Sequence, residues 1–102
     1  MHIQTTIRED RGLVALTGSF DFNAHKDFRR ACDTMLAEPS VRALELDLAR
    51  VQYLDSSALG MLLILRDRAE EKGKQIILSG STGTVRQVLE IANFGKLFTL
   101  RD

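Results

Sequence analysis

Residues 43–65 change their hydrophobic period from two to about 3.6 within a short stretch, and this change most constrains the fold. Leucines at positions 44, 46 and 48 alternate with polar or small residues, which predicts a strand with one buried face. A stripe at helical spacing then predicts a helix that buries Ala58, Leu62, Leu65 and Ala69, with Leu59 and Leu63 beside them. A strand that runs directly into a helix leaves the connecting turn at the carboxyl edge of the sheet.

That turn contains Asp55, Ser56 and Ser57. The first N–H groups of the helix point outward there, so the turn suits an N-cap, an anion or a hydroxyl that is modified. The simplest interpretation is that Ser56 or Ser57 caps the helix, a role whose loss costs about 1 kcal/mol. A phosphate on Ser56 would add about −1.5 to −2 charges, which a helix N-terminus tolerates and a partner docked beside Asp55 does not.

Length and composition predict one soluble domain spanning residues 1–102, with enough apolar residues, 44%, for an ordinary core. The 14 basic residues balance the 14 acidic ones, which argues against nucleic acid as the main partner. The sequence has neither a signal peptide nor an apolar run of about 20 residues, so we expect a cytoplasmic protein without membrane insertion. The one cysteine, Cys32, excludes an internal disulfide and lies on an apolar helix face, where it resembles a small hydrophobe.

The first part of the chain predicts a hairpin followed by a helix. Residues 3–7 and 13–17 are typical of two antiparallel strands, with Gly12 in the turn able to take a positive φ. A helix is expected from about residue 24, with Asn23 as its N-cap, and it ends before Pro39.

The last part of the chain repeats a strand and a helix. Gly73 is a natural residue to follow the central helix, and residues 75–79 are typical of a short buried strand. Ser81 or Thr82 is expected to cap a third helix, which ends at residues 93–95 and precedes a short strand or tail at 97–100. Its buried face is predicted to contain Val85, Val88, Leu89 and Ala92.

The element order is therefore β-β-α-β-α-β-α-β, which predicts an α/β fold. Right-handed crossovers in succession place the helices mainly on one face of a mixed β-sheet. The opposite face then requires polar residues or a partner, and the sequence leaves these alternatives open.

The sequence shows no arrangement of residues that catalysis or a metal would require. The flanks of Ser56 differ from a G-x-S-x-G elbow, and His2 and His25, the two candidate bases, lie at the terminus and in a charged first turn. The same shortage of ligands argues against a metal site, and we expect no cofactor. The small polar turn at residues 79–84 is more typical of a helix cap than of an anion site, and whether a nucleotide binds there stays open.

Three segments resemble one known family. Residues 53–60, YLDSSALG, resemble the D-S-S/T-G-L-G signature of the STAS domain in bacterial anti-sigma factor antagonists. Residues 18–21, GSFD, are similar to the family's G-x-L/F-D segment, and residues 91–98, IANFGKLF, to its C-terminal region. Ala58 departs from the family's usual glycine, and a better helix former stiffens the first turn.

The resemblance implies a partner switch. In this family the unmodified antagonist binds an anti-sigma factor, commonly a serine kinase of the histidine-kinase-like ATPase fold, and thereby releases the sigma factor. The kinase phosphorylates the serine directly after the aspartate, which is Ser56 here, and a PP2C-type phosphatase removes the phosphate. With positions judged from the helix pattern added, the candidate partner-binding residues are Asp21, Asp55, Ser56, Ser57, Ala58, Gly60 and Met61.

Some of these assignments keep an alternative. Asp21 could cap a turn or contact the partner, and Met61 lies about 60–100° off the apolar stripe, which predicts partial exposure. For the whole chain, the alternative is a STAS scaffold or transport-complex subunit that binds constitutively, with Ser56 only a helix cap. The third hypothesis is an enzyme, and no arrangement of acid and base residues supports it.

Overall fold

The computed structural model describes residues 1–102 as a five-stranded mixed sheet covered by three helices. The strands are β1 His2–Arg8, β2 Arg11–Phe20, β3 Ala43–Leu54, β4 Gln75–Ser79 and β5 Thr99–Arg101. The helices are α1 His25–Ala37, α2 Ser56–Glu71 and α3 Gly83–Ile91, and single 3-10 turns occupy Phe22–Ala24 and Phe94–Lys96. The predicted element order and fold class are confirmed.

The strands lie in the sheet in the same order as in the sequence. β1 is antiparallel to β2, and the pairs β2–β3, β3–β4 and β4–β5 are parallel. Each parallel connection therefore steps in the same direction, and right-handed crossovers place all three helices on one face. The carboxyl ends of β2, β3 and β4 meet at one edge, and each of them leads into a helix there.

The core fills the space between the sheet and the helices. Leu44, Leu46 and Leu48 of β3 are fully buried. They belong to one cluster with Phe28 of α1, Leu62 of α2 and Leu89 of α3. The period-two leucines therefore point at all three helices, as the alternation predicts.

The other face of the sheet carries a hydrogen-bonded carboxylate at its centre. Glu45 accepts hydrogen bonds from the Nη1 atom of Arg11 and the hydroxyl of Ser79, each over 2.9 Å. Its neighbours in the same cross-strand row are Leu13 and Ile77, and Ile77 is almost completely buried. This face therefore supplies polar contacts of its own at its centre.

The C-terminal ends of α1 and α2 are tied together by Lys74. Its Nζ atom donates hydrogen bonds to the carbonyl oxygens of Leu36, over 2.7 Å, and Glu38, over 2.8 Å. α1 has no basic residue in its own last turn. A cation from the segment after α2 therefore satisfies the orphan carbonyls of α1.

Two expectations about the first turns are wrong. α1 is preceded by a 3-10 turn whose N-cap is Asp21, and the Asp21 carboxylate accepts a hydrogen bond from the Asn23 N–H over 2.9 Å. Asn23 is thus capped and is not the cap. The positive φ of the hairpin belongs to Glu9, at 57°. Gly12 lies in β2, where a Cβ atom would stand 2.9 Å from the sulfur of Met35, so a larger residue there would require the flexible Met35 side chain to shift.

The last strand begins later than the sequence predicts. Asn93 adopts a left-handed conformation, with φ of 61°, and the chain then makes a 3-10 turn. The Phe98 N–H donates to the Phe94 carbonyl over 2.8 Å, which keeps residues 97–98 out of the sheet. β5 is therefore Thr99–Arg101 and not residues 97–100.

None of the helices combines the length and the apolar character that crossing a bilayer requires.

We expect Gly80→Ala to lower the free energy of unfolding more than Gly73→Ala. Both glycines have positive φ, 74° and 69°, so each substitution adds about 1–2 kcal/mol of backbone strain. A Cβ atom at residue 80 would also lie 3.0 Å from the Ala49 Cβ and 3.2 Å from the Ala49 nitrogen, whereas residue 73 has open space. Urea unfolding should show an additional loss of about 1–3 kcal/mol at residue 80. Equal losses would contradict the close approach.

Candidate functional site

The turn between β3 and α2 lies beside the turn that follows β2. Phe20 and Leu54 are register partners at the ends of the two parallel strands, and the Asp55 N–H donates to the Phe20 carbonyl over 3.3 Å. The segments that begin at Asp21 and at Asp55 are therefore neighbours at the carboxyl edge of the sheet. The structure thus brings together two segments that are about thirty residues apart in the sequence.

Asp55 caps α2, and neither serine does. Asp55 is the last extended residue, with φ −103° and ψ −178°, and its Oδ1 atom accepts a hydrogen bond from the Ala58 N–H over 2.9 Å. Ser56 and Ser57 are the first two residues of the helix. The expectation that Ser56 or Ser57 is the cap is therefore wrong, because β3 stays paired as far as Leu54 and leaves Asp55 at the N-cap position.

The hydroxyl of Ser56 is exposed and takes part in none of the side-chain hydrogen bonds of the chain. It stands at the first position of a sixteen-residue helix, where the positive end of the helix dipole lies. The side chain therefore has no structural role in the folded chain that a modification would disturb.

The other predicted site residues differ in exposure. Asp21, Ser57, Gly60 and Met61 are half-buried. Ala58 is fully buried, so its methyl group faces the core and contributes nothing to the outer surface. Gly60 has open space around it, and a Cβ atom there would meet no atom within 4 Å. Met61 packs its inner part against the core, in keeping with the partial exposure expected.

Three exposed apolar side chains on and beside the first half of α2 are not predicted from the sequence. Ile64 is 56% exposed and Leu63 is 38% exposed, although Leu63 was expected beside the buried stripe. Phe22 is 64% exposed and stacks on the His25 ring, with 5.2 Å between the ring centroids. The available signal was that α2 is apolar on nearly all sides between residues 58 and 65, while only one side can face the sheet.

A groove of about 70 Å³ lies between α1 and the middle of α2. His25 and Phe28 line it from α1, and Met61 and Ile64 line it from α2. An ion pair between Asp33 and Arg68, at 3.4 Å, spans the two helices further along. The Asp33–Arg68 ion pair therefore closes the end of the groove that is remote from the Ser56 turn.

Cys32 lies under this groove as a buried neutral thiol. Burial, and secondarily the charge of Asp33, raises the pKa of the Cys32 thiol to about 12. The thiolate is the reactive form of cysteine, so this side chain is chemically inert in the folded protein.

The turn before α3 lacks the expected side-chain cap. Thr82 occupies the N-cap position, but its side chain makes no capping hydrogen bond. The Ser81 hydroxyl is buried and has no hydrogen-bond partner. The prediction that one of these residues caps α3 is therefore correct for the position of Thr82 and wrong for its side chain.

Comparison with known proteins identifies the family. A family model described as "Mlab, STAS domain" matches residues 3–101, and the chain belongs to the STAS domain family. A STAS-domain containing protein of Pseudomonas aeruginosa is 46% identical over 87 residues, which cover 85% of this chain and 84% of that protein. An anti-sigma F factor antagonist of Paenibacillus polymyxa is 24% identical over 104 residues, covering 100% of this chain and 89% of its own.

Solved structures share the fold at low sequence identity. An anti-sigma factor antagonist from Mycobacterium paratuberculosis has a TM-score of 0.86 at 19% identity, covering 98% of this chain and 84% of that one. The Bacillus cell fate determinant SpoIIAA in its phosphorylated form has a TM-score of 0.75 at 21% identity, covering 97% and 90%. The STAS domain of a SulP transporter from Vibrio cholerae has a TM-score of 0.75 at 24% identity, covering 95% and 77%.

We expect Asp55→Ala to destabilise the protein and Ser56→Ala to leave its stability nearly unchanged. Loss of the Asp55 cap costs about 1 kcal/mol, whereas an exposed side chain without contacts changes stability by less than about 0.5 kcal/mol. Chemical denaturation of both variants measures the difference, and Asp55→Asn, which keeps a capping oxygen, is the control. A larger loss of stability for Ser56→Ala than for Asp55→Ala would contradict this assignment and indicate that Ser56 is the cap.

Alkaline pH is expected to destabilise the protein through Cys32. The pKa of this thiol is about 12 in the folded chain, against an ordinary value of 9.0. The stabilisation from a neutral buried thiol is therefore complete below pH 9.0 and is lost as the pH rises toward 12. Urea unfolding across this range should show a shallower loss of stability in Cys32→Ala than in the parent protein. Parallel pH profiles would contradict the assignment.

Proposed function

We propose that this chain is an anti-sigma factor antagonist that works as one non-enzymatic STAS domain in a partner switch. In this proposal it binds an anti-sigma factor while Ser56 is unmodified and releases it when Ser56 is phosphorylated. The partner is a serine kinase of the histidine-kinase-like ATPase fold, a PP2C-type phosphatase reverses the modification, and the exchange takes place in the cytoplasm. Nucleic acid and membrane have no direct part in it.

The observation that supports this proposal is that Asp55 caps α2 while the side chain of Ser56 makes no hydrogen bond. Asp55 makes the capping hydrogen bond, and the adjacent Ser56 hydroxyl is exposed and free of contacts. A kinase needs access to the hydroxyl, and the protein must remain folded after the modification. Both requirements are met when the cap and the modified side chain are different residues.

The charge of a phosphate supports release of the partner without unfolding of the domain. Phosphorylation of Ser56 would add about −1.5 to −2 charges at the N-terminus of α2, where the helix dipole favours anions. The carboxylates of Asp55 and Asp21 are already at this edge of the sheet. A partner surface that fits two carboxylates and a neutral hydroxyl would have to accommodate a phosphate dianion as well. The phosphate and the two carboxylates carry like charges, and bringing like charges together in an interface that excludes water is unfavourable.

Three apolar side chains, two of them exposed and one half-buried, supply a surface for the partner. We call Phe22, Met61 and Ile64 the apolar patch; they border the groove between α1 and α2 or lie against it through His25. Large apolar side chains with a polar rim are typical of interface cores. In the proposed complex they bind the partner, and Ser56 at their edge controls the affinity.

The relatives support two related outcomes. The Paenibacillus polymyxa relative is named as an anti-sigma F factor antagonist, and a structural neighbour was solved in a phosphorylated form. The family model carries the description "Mlab", and another neighbour is the STAS domain of a SulP transporter. The second candidate is therefore a constitutive scaffold or transport-complex subunit whose binding does not depend on Ser56.

The test combines phosphate mapping with partner capture. We expect the protein purified from its own host to contain one phosphate, on Ser56, in the fraction that has lost its partner. In pull-down experiments Ser56→Ala should retain the partner, and Ser56→Asp should reduce its recovery about tenfold or more, which corresponds to about 1.4 kcal/mol. Ser40→Asp adds the same charge to an exposed serine at the opposite edge of the sheet, and it should bind like the parent protein.

Substitutions at two exposed isoleucines test whether the partner binds the apolar patch in particular. Ile64→Asp should abolish partner recovery, whereas Ile91→Asp, at a position of α3 that is 82% exposed, should leave it intact. Equal recovery by Ser56→Ala and Ser56→Asp, without phosphate under any growth condition, would reject the switch in favour of the constitutive subunit. Unchanged recovery by Ile64→Asp would move the docking surface elsewhere.

A further inference from the structure

β1 is an open sheet edge without the usual protection against pairing. It is a seven-residue strand whose outer side has no neighbour in the sheet, and its pairing with β2 continues through all seven residues without a shift. Proteins commonly protect edge strands with lysine, proline, a bulge or a short length. β1 contains neither lysine nor proline, and its one arginine, Arg8, is its last residue, whereas the opposite edge, β5, has only three residues.

We propose that two copies of this chain associate through β1, so that two five-stranded sheets become one continuous sheet. This inference is independent of the proposed partner switch, because β1 and the Ser56 turn belong to different parts of the surface. The axis is a two-fold perpendicular to the sheet, and the interface is the same patch on both copies.

The sequence of β1 is self-complementary in one register. Antiparallel pairing of all seven residues places Thr5 opposite Thr5 of the second copy. The same register places Ile3 opposite Ile7 and Gln4 opposite Thr6, and it brings His2 and Arg8 together at the two ends of the pairing. Ile7 is 45% exposed in the single chain, and this pairing gives it an apolar cross-strand neighbour, the contact that stabilises antiparallel pairs. Any other symmetric register pairs fewer residues.

The helix beside this edge carries matching charges. A groove between β1 and α1 is lined by Ile3 and Thr5 on one side and by Asp27 and Arg30 on the other. Neither Asp27 nor Arg30 forms an ion pair within the chain. The two-fold axis sets α1 antiparallel to α1 of the second copy on the same face of the sheet. Asp27 of each copy then faces Arg30 of the other, so one symmetric arrangement satisfies both charges.

The first test is the mass in solution as a function of concentration. Sedimentation velocity of the full chain should show a species of twice the chain mass that dissociates on dilution. Ile7→Lys should raise the dissociation constant about tenfold or more, because it removes two symmetry-related apolar pairs and adds two like charges at the interface. Ile91→Lys changes another exposed isoleucine, on α3, and should leave the constant unchanged. A single-chain mass at every concentration overturns the proposal, as does a dimer that ignores Ile7→Lys.

The second test fixes the register by disulfide trapping. Thr5→Cys should form a covalent dimer on mild oxidation, because opposite Cα atoms in an antiparallel pair are about 4.5–5.5 Å apart, within disulfide range. Gln4→Cys alone and Thr6→Cys alone should not cross-link, whereas an equal mixture of the two should. The native Cys32 is buried and does not compete. Cross-linking of Gln4→Cys alone as strongly as the mixture would overturn this register and the proposed interface.

Discussion

The structure depends on the pairing of β3 with a parallel strand on each side. Because β2 and β4 both run in the same direction as β3, every connection must cross the sheet on the same face. The leucines of β3 then form the floor beneath all three helices, and each helix needs one apolar stripe only. Because β2, β3 and β4 run in the same direction, the helices that follow them all begin at one edge of the sheet. The Ser56 turn lies at this edge.

Much of this architecture can be predicted from periodicity alone. The alternation at residues 44–48 predicts a strand, and the stripe that includes Leu62 and Leu65 predicts a helix. A hydrophobic period of two does not form one face of a helix, and a period of 3.6 does not form one face of a strand. The position of Ser56 at the start of α2 follows from where one period replaces the other. The element order and the helices on one face follow from those elements and the handedness of crossovers.

The details that the sequence could not supply are set by long-range pairing. Asp55, Ser56 and Ser57 are all good capping residues, and local propensity does not choose among them. The choice is made by β2, which holds β3 extended as far as Leu54 and so gives Asp55 the N-cap position. The cap near α1 follows the same rule, since β2 ends at Phe20 and Asp21 comes next. The exposure of Ile64 likewise depends on which side of α2 meets the sheet.

The contacts of Lys74 make the α1–α2 pair mechanically unequal at its two ends. At the end remote from Ser56, the Lys74 ammonium group donates hydrogen bonds to two carbonyls at the α1 terminus. Breaking those bonds would leave the ammonium group and the carbonyls without hydrogen-bond partners, which is unfavourable. At the end near Ser56, a groove lined by Phe28, Met61 and Ile64 separates the helices. The pair is therefore joined by polar contacts at one end and by apolar contacts around a groove at the other. A side chain inserted into the groove would disturb the apolar contacts of α2 first, because the Lys74 hydrogen bonds lie at the other end.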